Sequence, residues 1–520
     1  MAPPATLSAS LSTGDLLLHA LSVDLGRPVV TFNETGRVVT AREYRDVVSS
    51  YVQALNGLGL TAGARVGLLS RNRPEVLFAN GALAFIDACL VALHPMGSVD
   101  DLAYMVEDAG MEALIFDPDH YQDQAAELQR RSPGLKRLVA LGPTAIGQDL
   151  TALAAARAPA PLRPIQIDPE AIVRLSYSGG TTGKPKAIMG SARYADAALD
   201  ILLKEWEWPG EIRQLVCAPL SHAGGAVFLP TMIKHGSMVV LPGFEPGAVL
   251  EAIQTHRVTC VLLVPTMIYA LLDHPKLDDY DLSSLEIVYY GASSISPTRL
   301  KEAIERFGPI FFQFYGQAEA PMSVTVMRRG EHDPNDLNRL ASCGRPVPWV
   351  RTALLDDGNR PAPDGEPGEI CVQGPLVMSG YLNKPEQTAE AFKGGWLHTG
   401  DIAVRDPDGF LRIVDRKKDM IVTGGFNVFP REIEDVLSSH PAVAAAAVIG
   451  QPHERWGEAV MAIVVLRAGA EVSEPELIAL VRERKGAVQA PKSVVFAERI
   501  PLSGLGKPDK KALRATYASG

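Results

Sequence analysis

The chain has 520 residues, 50 basic against 60 acidic, with 47% hydrophobic residues and five cysteines. Such a length buries most of its unfolded surface and suggests about three domains, or one large body with an appendage. The net charge of −10 argues against a nucleic-acid polymer as partner, because that affinity is carried by basic residues on phosphates. It leaves room for a small anion in a local basic pocket.

The cysteines (Cys89, Cys217, Cys260, Cys343 and Cys371) are odd in number, widely spaced and without a CxxC pair. They form neither a disulfide framework nor a zinc motif, and they suit a reducing compartment. The first residues lack a basic segment followed by an apolar run, so no secretory signal is expected. No apolar run reaches the roughly 18 residues of a membrane span. The longest, 258–272, is interrupted by Pro265 and Thr266. The final Tyr-Ala-Ser-Gly is no peroxisomal or prenylation tag. The expectation is a soluble cytoplasmic protein without an integral membrane segment.

In chain order, Tyr44, Val47, Val48, Tyr51, Ala54, Leu55 and Leu58 recur at helical spacing and predict a helix over 44–58. A strand at 65–69, a helix at 74–83 and a strand at 89–93 follow. Further strands are predicted at 113–116, 137–141, 171–175, 215–217, 238–241 and 259–264, between helical stretches. This alternation implies parallel sheets covered on both faces.

From about 340 the texture changes. Asp357-Gly358, Asp364-Gly365 and Asp408-Gly409 separate short apolar runs at 369–373 and 410–414, which predicts a small antiparallel region. The charged stretch 415–419 then leads to a predicted helix at 430–438, strands at 442–449 and 459–466, a helix at 474–484 and a strand at 493–496. From Lys417 onward basic residues slightly outnumber acidic ones, so the acidic excess belongs to the rest of the chain. The boundary is placed there: a body over 1–416 and a C-terminal domain over 417–520.

Four stretches carry chemistry. Ser178-Gly179-Gly180-Thr181-Thr182-Gly183-Lys184-Pro185-Lys186 follows an apolar strand. Its glycines can present successive N–H groups to an anion, and its hydroxyls and lysines add donors and charge. It reads as a polyphosphate loop or as a Gly/Thr-rich surface turn. It is not a Walker A loop: the first glycine stands one residue too close, and Pro185 occupies the Ser/Thr position. Tyr315-Gly316-Gln317-Ala318-Glu319 places an aromatic where it could stack on a base and a carboxylate where it could ligate Mg²⁺, or else a core tyrosine beside a solvated glutamate. Thr399-Gly400-Asp401 reads by itself as a turn, although Asp401 suits a ribose diol. Lys507 lies in the glycine-rich 501–508, late in the chain.

Together these stretches resemble the adenylate-forming superfamily of acyl-CoA synthetases, carrier-protein adenylation domains and luciferases. Pro219-Leu220-Ser221-His222, Gly291-Ala292-Ser293, Gly380-Tyr381, 399–401, 415–419 and 424–428 follow in family order, then Glu432-Ile433-Glu434 and Lys507. The resemblance spans about 40–515. It implies an α/β fold: a large multi-lobed body of parallel sheets plus a small β region, with a smaller, mobile α+β C-terminal domain.

The implied activity is an AMP-forming acyl-CoA ligase, which makes an acyl-adenylate from a carboxylic acid and MgATP and then transfers the acyl group to CoA. The alternatives are loading of a carrier protein and a catalytically reduced nucleotide-binding homologue. No nucleic acid is implied, and a homodimer is admitted.

The resemblance also implies roles. Ser178, Thr181, Thr182 and Gly183 would hold the β- and γ-phosphates, with Lys186 in support. Glu319 would hold Mg²⁺, Asp401 and Arg416 the ribose, and Tyr315 the adenine against Gly291, Ala292 and Ser293. Lys507 would bridge the carboxylate and the α-phosphate. A hinge at Lys418 would swing the C-terminal domain, withdraw Lys507 and bring Gly424, Gly425 and Phe426 to the pantetheine tunnel.

His222, Gly224, Gln313 and Phe314 would border the acyl pocket, with His222 as wall or gate. Phe314, bulky where many relatives have glycine, either limits depth and favours flat acids or is packing. A medium-chain fatty acid and an aryl acid both remain open. Two departures from the family pattern stand out: Gly179 replaces a serine, and Ala318 replaces a threonine that normally donates near the α-phosphate.

Overall fold

The computed structural model describes residues 12–163, 165–177, 184–417, 419–423, 426–453, 455–502 and 508–517. Within them the alternation of apolar strands and helices builds two large sheets. In the first, Phe311–Gln317, Ile287–Gly291, Cys260–Leu263, Arg213–Val216, Ser237–Val240 and Pro28–Phe32 run parallel in that spatial order. Antiparallel strands flank them, Ala320–Met327 and Arg345–Pro346 on one side and Arg37–Thr40 on the other.

The second sheet sets Gln148–Asp149, Arg137–Ala140, Ala113–Phe116, Arg65–Leu69, Cys89–Ala92 and Ile172–Tyr177 parallel, with Ala187–Ser191 antiparallel at its edge. Ala113–Phe116 and Cys260–Leu263 are buried at every position. Sheets covered on both faces require such unbroken apolar strands.

Most predicted elements lie within a few residues of their expected place. The helix expected at 44–58 is Ala41–Gly57, because the Thr40 side chain accepts from Glu43 N and starts it earlier. The hairpin over 28–40 went unread: its strands are short and its partner, Ser237–Val240, is some two hundred residues away in sequence.

The antiparallel region forms as expected, with Arg351–Leu355, Gly368–Gln373, Leu397–Arg405 and Leu411–Arg416 in order. Thr399-Gly400-Asp401, a turn by its local sequence, instead lies inside the strand Leu397–Arg405. Glu369 pairs with Ile402 and Cys371 with His398, so residues 399–401 bulge opposite Ile370. Gly400 has φ +73°, which is the backbone such a bulge needs.

The smaller C-terminal domain has its own sheet. Phe426–Val428, Ile421–Thr423, Gly457–Leu466 and Val443–His453 are antiparallel, and Ser493–Phe496 lies parallel beside Gly457–Leu466. Helices Pro430–Ser438 and Glu474–Lys485 close one core over it, and Leu513 of Lys510–Tyr517 enters another. No helix among the described residues is long and apolar enough to cross a membrane.

Candidate active site

The bulge at 399–401 ends at Asp401, a nearly buried carboxylate, 5% exposed. Its Oδ2 accepts from Tyr315 Oη at 2.7 Å, and its Oδ1 lies 3.3 Å from Arg416 Nε. Asp401 and Arg416 are direct cross-strand partners. Burial, and then the Asp401 charge, hold the Tyr315 phenol far above its ordinary value. Burial opposes the Arg416 charge, but Asp401 and Asp419 outweigh it and raise its pKa. Tyr315, Asp401 and Arg416, distant in sequence, thus form one hydrogen-bonded wall.

A second buried carboxylate supports the bulge from behind. Glu369 Oε1 accepts from Gly400 N at 2.9 Å, and its Oε2 lies 3.0 Å from His398 Nδ1 and 3.3 Å from Lys417 Nζ. Glu369, Cys371 and His398 are close enough together to gather a metal ion. However, both Glu369 oxygens are already engaged, and burial and Glu369 push the Cys371 thiol up to about 12. The group reads as a strut for Asp401 rather than a metal centre.

Glu319 follows the strand Phe311–Gln317 and is half-buried. Its Oε1 accepts from Tyr381 Oη at 2.9 Å, its backbone carbonyl accepts from Met378 N at 2.8 Å, and among the described residues it forms no ion pair. A positioned carboxylate without a cationic partner fits a divalent cation, which takes hard oxygen ligands. Lys186 Nζ stands 4.9 Å from the centre of the Tyr381 ring. Tyr194 Oη donates to the Ala318 carbonyl at 2.7 Å, anchoring the backbone where the expected threonine is missing. Neither tyrosine's role was legible, because both partners arrive from distant strands or helices.

Gly291 ends a buried strand, and a Cβ there would meet Phe314 O at 2.3 Å; only glycine fits. Ala292 has φ +65°, a left-handed turn that exposes it beside half-buried Ser293. Strand alternation puts Gln313 and Phe314 on opposite faces. Phe314 packs against Trp206 at 5.0 Å, in a cluster with Tyr289 and Phe312. Gln313 is 6% exposed, and its Oε1 has no hydrogen-bond partner among the described residues.

The segment 218–222 follows the strand Arg213–Val216. Gly224 and Gly225 are required by backbone approach, since a Cβ at either would lie 2.4 Å from Ala218 O or 2.1 Å from Leu220 O. His222 Nδ1 is 2.8 Å from Ser221 Oγ, and its ring meets His94 edge-on at 5.0 Å. Burial, with His94 and Arg174 nearby, pushes the imidazole down to about 3. His222 is therefore neutral at physiological pH.

The C-terminal domain meets the body at the strand Leu411–Arg416. Asp415 Oδ2 accepts from Arg431 N at 3.0 Å, and Arg412 Nη1 lies 3.1 Å from Glu432 Oε1. Phe426 is 60% exposed. Ser178, Gly179, Thr181, Thr182, Gly183, Lys418, Gly424, Gly425 and Lys507 lie outside the described residues.

Two features stand together: a buried carboxylate wall beside a glutamate that forms no ion pair among the described residues, and parallel sheets leading to a smaller C-terminal domain. The AMP-binding enzyme family model matches residues 19–382, and the AMP-binding enzyme C-terminal domain model matches 432–507. The chain belongs to this family and is an enzyme of the adenylate-forming superfamily.

It is 51% identical to a medium/long-chain-fatty-acid–CoA ligase, FadD8, of Mycobacterium tuberculosis, over 99% of this chain and 91% of that protein. It is 36% identical to a feruloyl-CoA synthase of an Amycolatopsis species, over 96% of each. The structure of the amide bond synthetase McbA from Marinactinospora thermotolerans matches with a TM-score of 0.88 and 36% identity, over 96% of this chain and 99% of that one.

Proposed function

We propose that the chain is an AMP-forming acyl-CoA ligase that converts a carboxylic acid and MgATP to an acyl-adenylate and pyrophosphate, then transfers the acyl group to CoA. The observation that carries this reading is the wall of Tyr315, Asp401 and Arg416 beside a glutamate that forms no ion pair among the described residues. The 51% identity to a fatty-acid–CoA ligase supports it.

Adenylation brings two anions together, so its barrier falls mainly through fixed positive charge and donors. Asp401 and Arg416 would hold the ribose, Gly291, Ala292, Ser293 and Tyr315 the adenine, and Glu319 the Mg²⁺ that neutralises phosphate charge. Ser178, Thr181, Thr182, Gly183 and Lys186 would hold the terminal phosphates. Lys507 would place its charge between carboxylate and α-phosphate.

The domain formed by 417–520 would turn about Lys418 for the second step, with Gly424, Gly425 and Phe426 beside pantetheine and His222, Gly224, Gln313 and Phe314 around the acyl group. A cytoplasmic location and a homodimer complete the proposal. The similarity to both a fatty-acid–CoA ligase and a feruloyl-CoA synthase keeps medium-chain fatty and aryl acids as the two substrate classes. The similarity to an amide bond synthetase makes an amine the acceptor to test against CoA.

The test is pyrophosphate release with a panel of fatty and aryl acids, with CoA, with an amine and with neither. Formation of AMP and an acyl-CoA is expected. An acyl-adenylate that passes to the amine but never to CoA would overturn the acceptor assignment. Lys507→Ala should abolish adenylation while sparing thioester formation from supplied adenylate; equal loss of both steps would remove Lys507 from its assigned role.

A further inference from the structure

Arg174 sits where an arginine with no acid beside it calls for explanation. It lies on the strand Ile172–Tyr177 of the seven-stranded sheet, and it reaches across to the nine-stranded sheet. Its Nη2 donates to Ser221 O at 2.9 Å and its Nε to Ser176 Oγ at 3.2 Å. Nη1 has no hydrogen bond, and Arg174 has no ion pair among the described residues. The adjoining 178–183, Ser-Gly-Gly-Thr-Thr-Gly, contain no acid.

Two more nitrogen-bearing side chains converge on the same place. His222 follows Ser221, and its ring meets that of His94, which follows the strand Cys89–Ala92. Both histidines use Nδ1 locally, with Ser221 Oγ at 2.8 Å and Met96 N at 3.2 Å. Among the described residues, their Nε2 atoms make no hydrogen bond. The two histidines lie in loops that follow parallel strands, the end at which open α/β sheets bind ligands, and Arg174 reaches that loop from the middle of its own strand.

A neighbouring residue shows that Arg174 is not needed as a tether alone. Asn72 already pins the same segment, donating to Ala218 O at 3.0 Å and accepting from Leu220 N at 2.8 Å. A neutral amide suffices for that task. Burying a guanidinium is costly unless a counter-charge arrives, and burial indeed lowers the pKa of Arg174.

We propose that Arg174, with the free ring nitrogens of His94 and His222, forms an anion subsite that receives an anionic oxygen group of a reactant. The chemistry is common to the carboxylate of the acid and a phosphoryl oxygen of the nucleotide. The proposal rests on the ligase reading above. It adds a residue that the family-like motifs did not mark, and it supplies positive charge on the body side, independent of the C-terminal domain.

The test titrates full-length protein with decanoate, cinnamate and ATP separately, for the wild type, Arg174→Gln and Arg174→Lys. Arg174→Gln should weaken one ligand class by about 10- to 100-fold, the range expected for a charged hydrogen bond. Arg174→Lys, which keeps the charge, should recover part of it. Loss for the acids alone identifies the carboxylate as occupant, and loss for ATP alone identifies the phosphoryl group.

Because Arg174→Gln could unfold, the wild type is also treated with phenylglyoxal and the peptide containing Arg174 is followed by mass spectrometry. Protection by one ligand class is expected. Unchanged affinities in a folded Arg174→Gln protein, or no protection by any of the three ligands, would overturn the subsite. A wild-type protein that binds neither acid nor ATP would overturn the ligase reading itself and the subsite with it.

Discussion

Asp401 and Glu432 are both acidic residues held by arginine, yet they do different work. Asp401 is 5% exposed, set on a bulge, braced from behind by Glu369, and shared between Tyr315 and Arg416. Glu432, whose side chain is 13% exposed, lies in the first turn of the first helix of the C-terminal domain and is divided between Lys485 of its own domain and Arg412 of the body. A desolvated, hydrogen-bonded carboxylate fixes geometry, because breaking it strands buried charge. An ion pair to partly exposed partners contributes about 0–1 kcal/mol. The wall is braced within the body, whereas Glu432 divides its bonding between the body and the C-terminal domain, next to the buried Asp415–Arg431 contact.

The comparison is sharpened most by removing charge from the wall. Glu319→Gln keeps the Tyr381 contact and deletes the negative charge proposed to hold Mg²⁺. Adenylation, followed by pyrophosphate exchange, should fall about 10²–10³-fold, the scale of one preorganised electrostatic contact. Raising Mg²⁺ should recover part of it. A change under threefold would remove Glu319 from the metal role.

Asp401→Asn comes next. It leaves Arg416 without its anion and Tyr315 with a weaker acceptor, so the KM for ATP should rise roughly 10- to 100-fold, while the KM for the acid moves little. Equal change in both would mean that the wall as a whole had been lost.

How much of this was legible in the sequence divides along the same line. The parallel strands at 65–69, 113–116 and 493–496 are where apolar periodicity places them, because buried strands carry their signal locally. Asp401 was singled out, but its local sequence reads as a turn; the bulge depends on pairing with the strand Gly368–Gln373, which no local rule reports. Gly380-Tyr381 was marked only as a segment in family order, and Tyr194, Asn72 and Arg174 carried no signal, since each acts through a partner brought in by tertiary packing. Phe314 was left between pocket depth and packing, and its ring lies 5.0 Å from that of Trp206 in an aromatic cluster.

His222 tests whether the wall includes an acid–base group. Its imidazole is depressed to about 3 by burial, His94 and Arg174, so protonation begins only far below neutrality. A general base with an ordinary histidine value would give a limb near pH 6.5 in the rate profile. No such limb from His222 is expected between pH 5 and 8, and His222→Gln should keep the wild-type profile shape while shifting the KM for the acid. Disappearance of a limb near 6.5 in His222→Gln would reverse the assignment.

The smallest expected effect belongs to the domain contact. Arg412→Ala removes one partially solvated ion pair, worth about 0.2–1 kcal/mol, so rates should change by at most about fivefold. Glu432 keeps Lys485 at 3.0 Å, which further limits the loss. The effect should fall on the ratio of thioester formation to adenylation, because the pair biases one domain arrangement over the other, and the KM for ATP should stay fixed. Glu432→Ala should shift the ratio in the same direction, and the double variant no further than the larger single one. An ATP KM that rises with Arg412→Ala would mean that the contact belongs to the wall after all, and that wall and domain are less separate than their bonding implies.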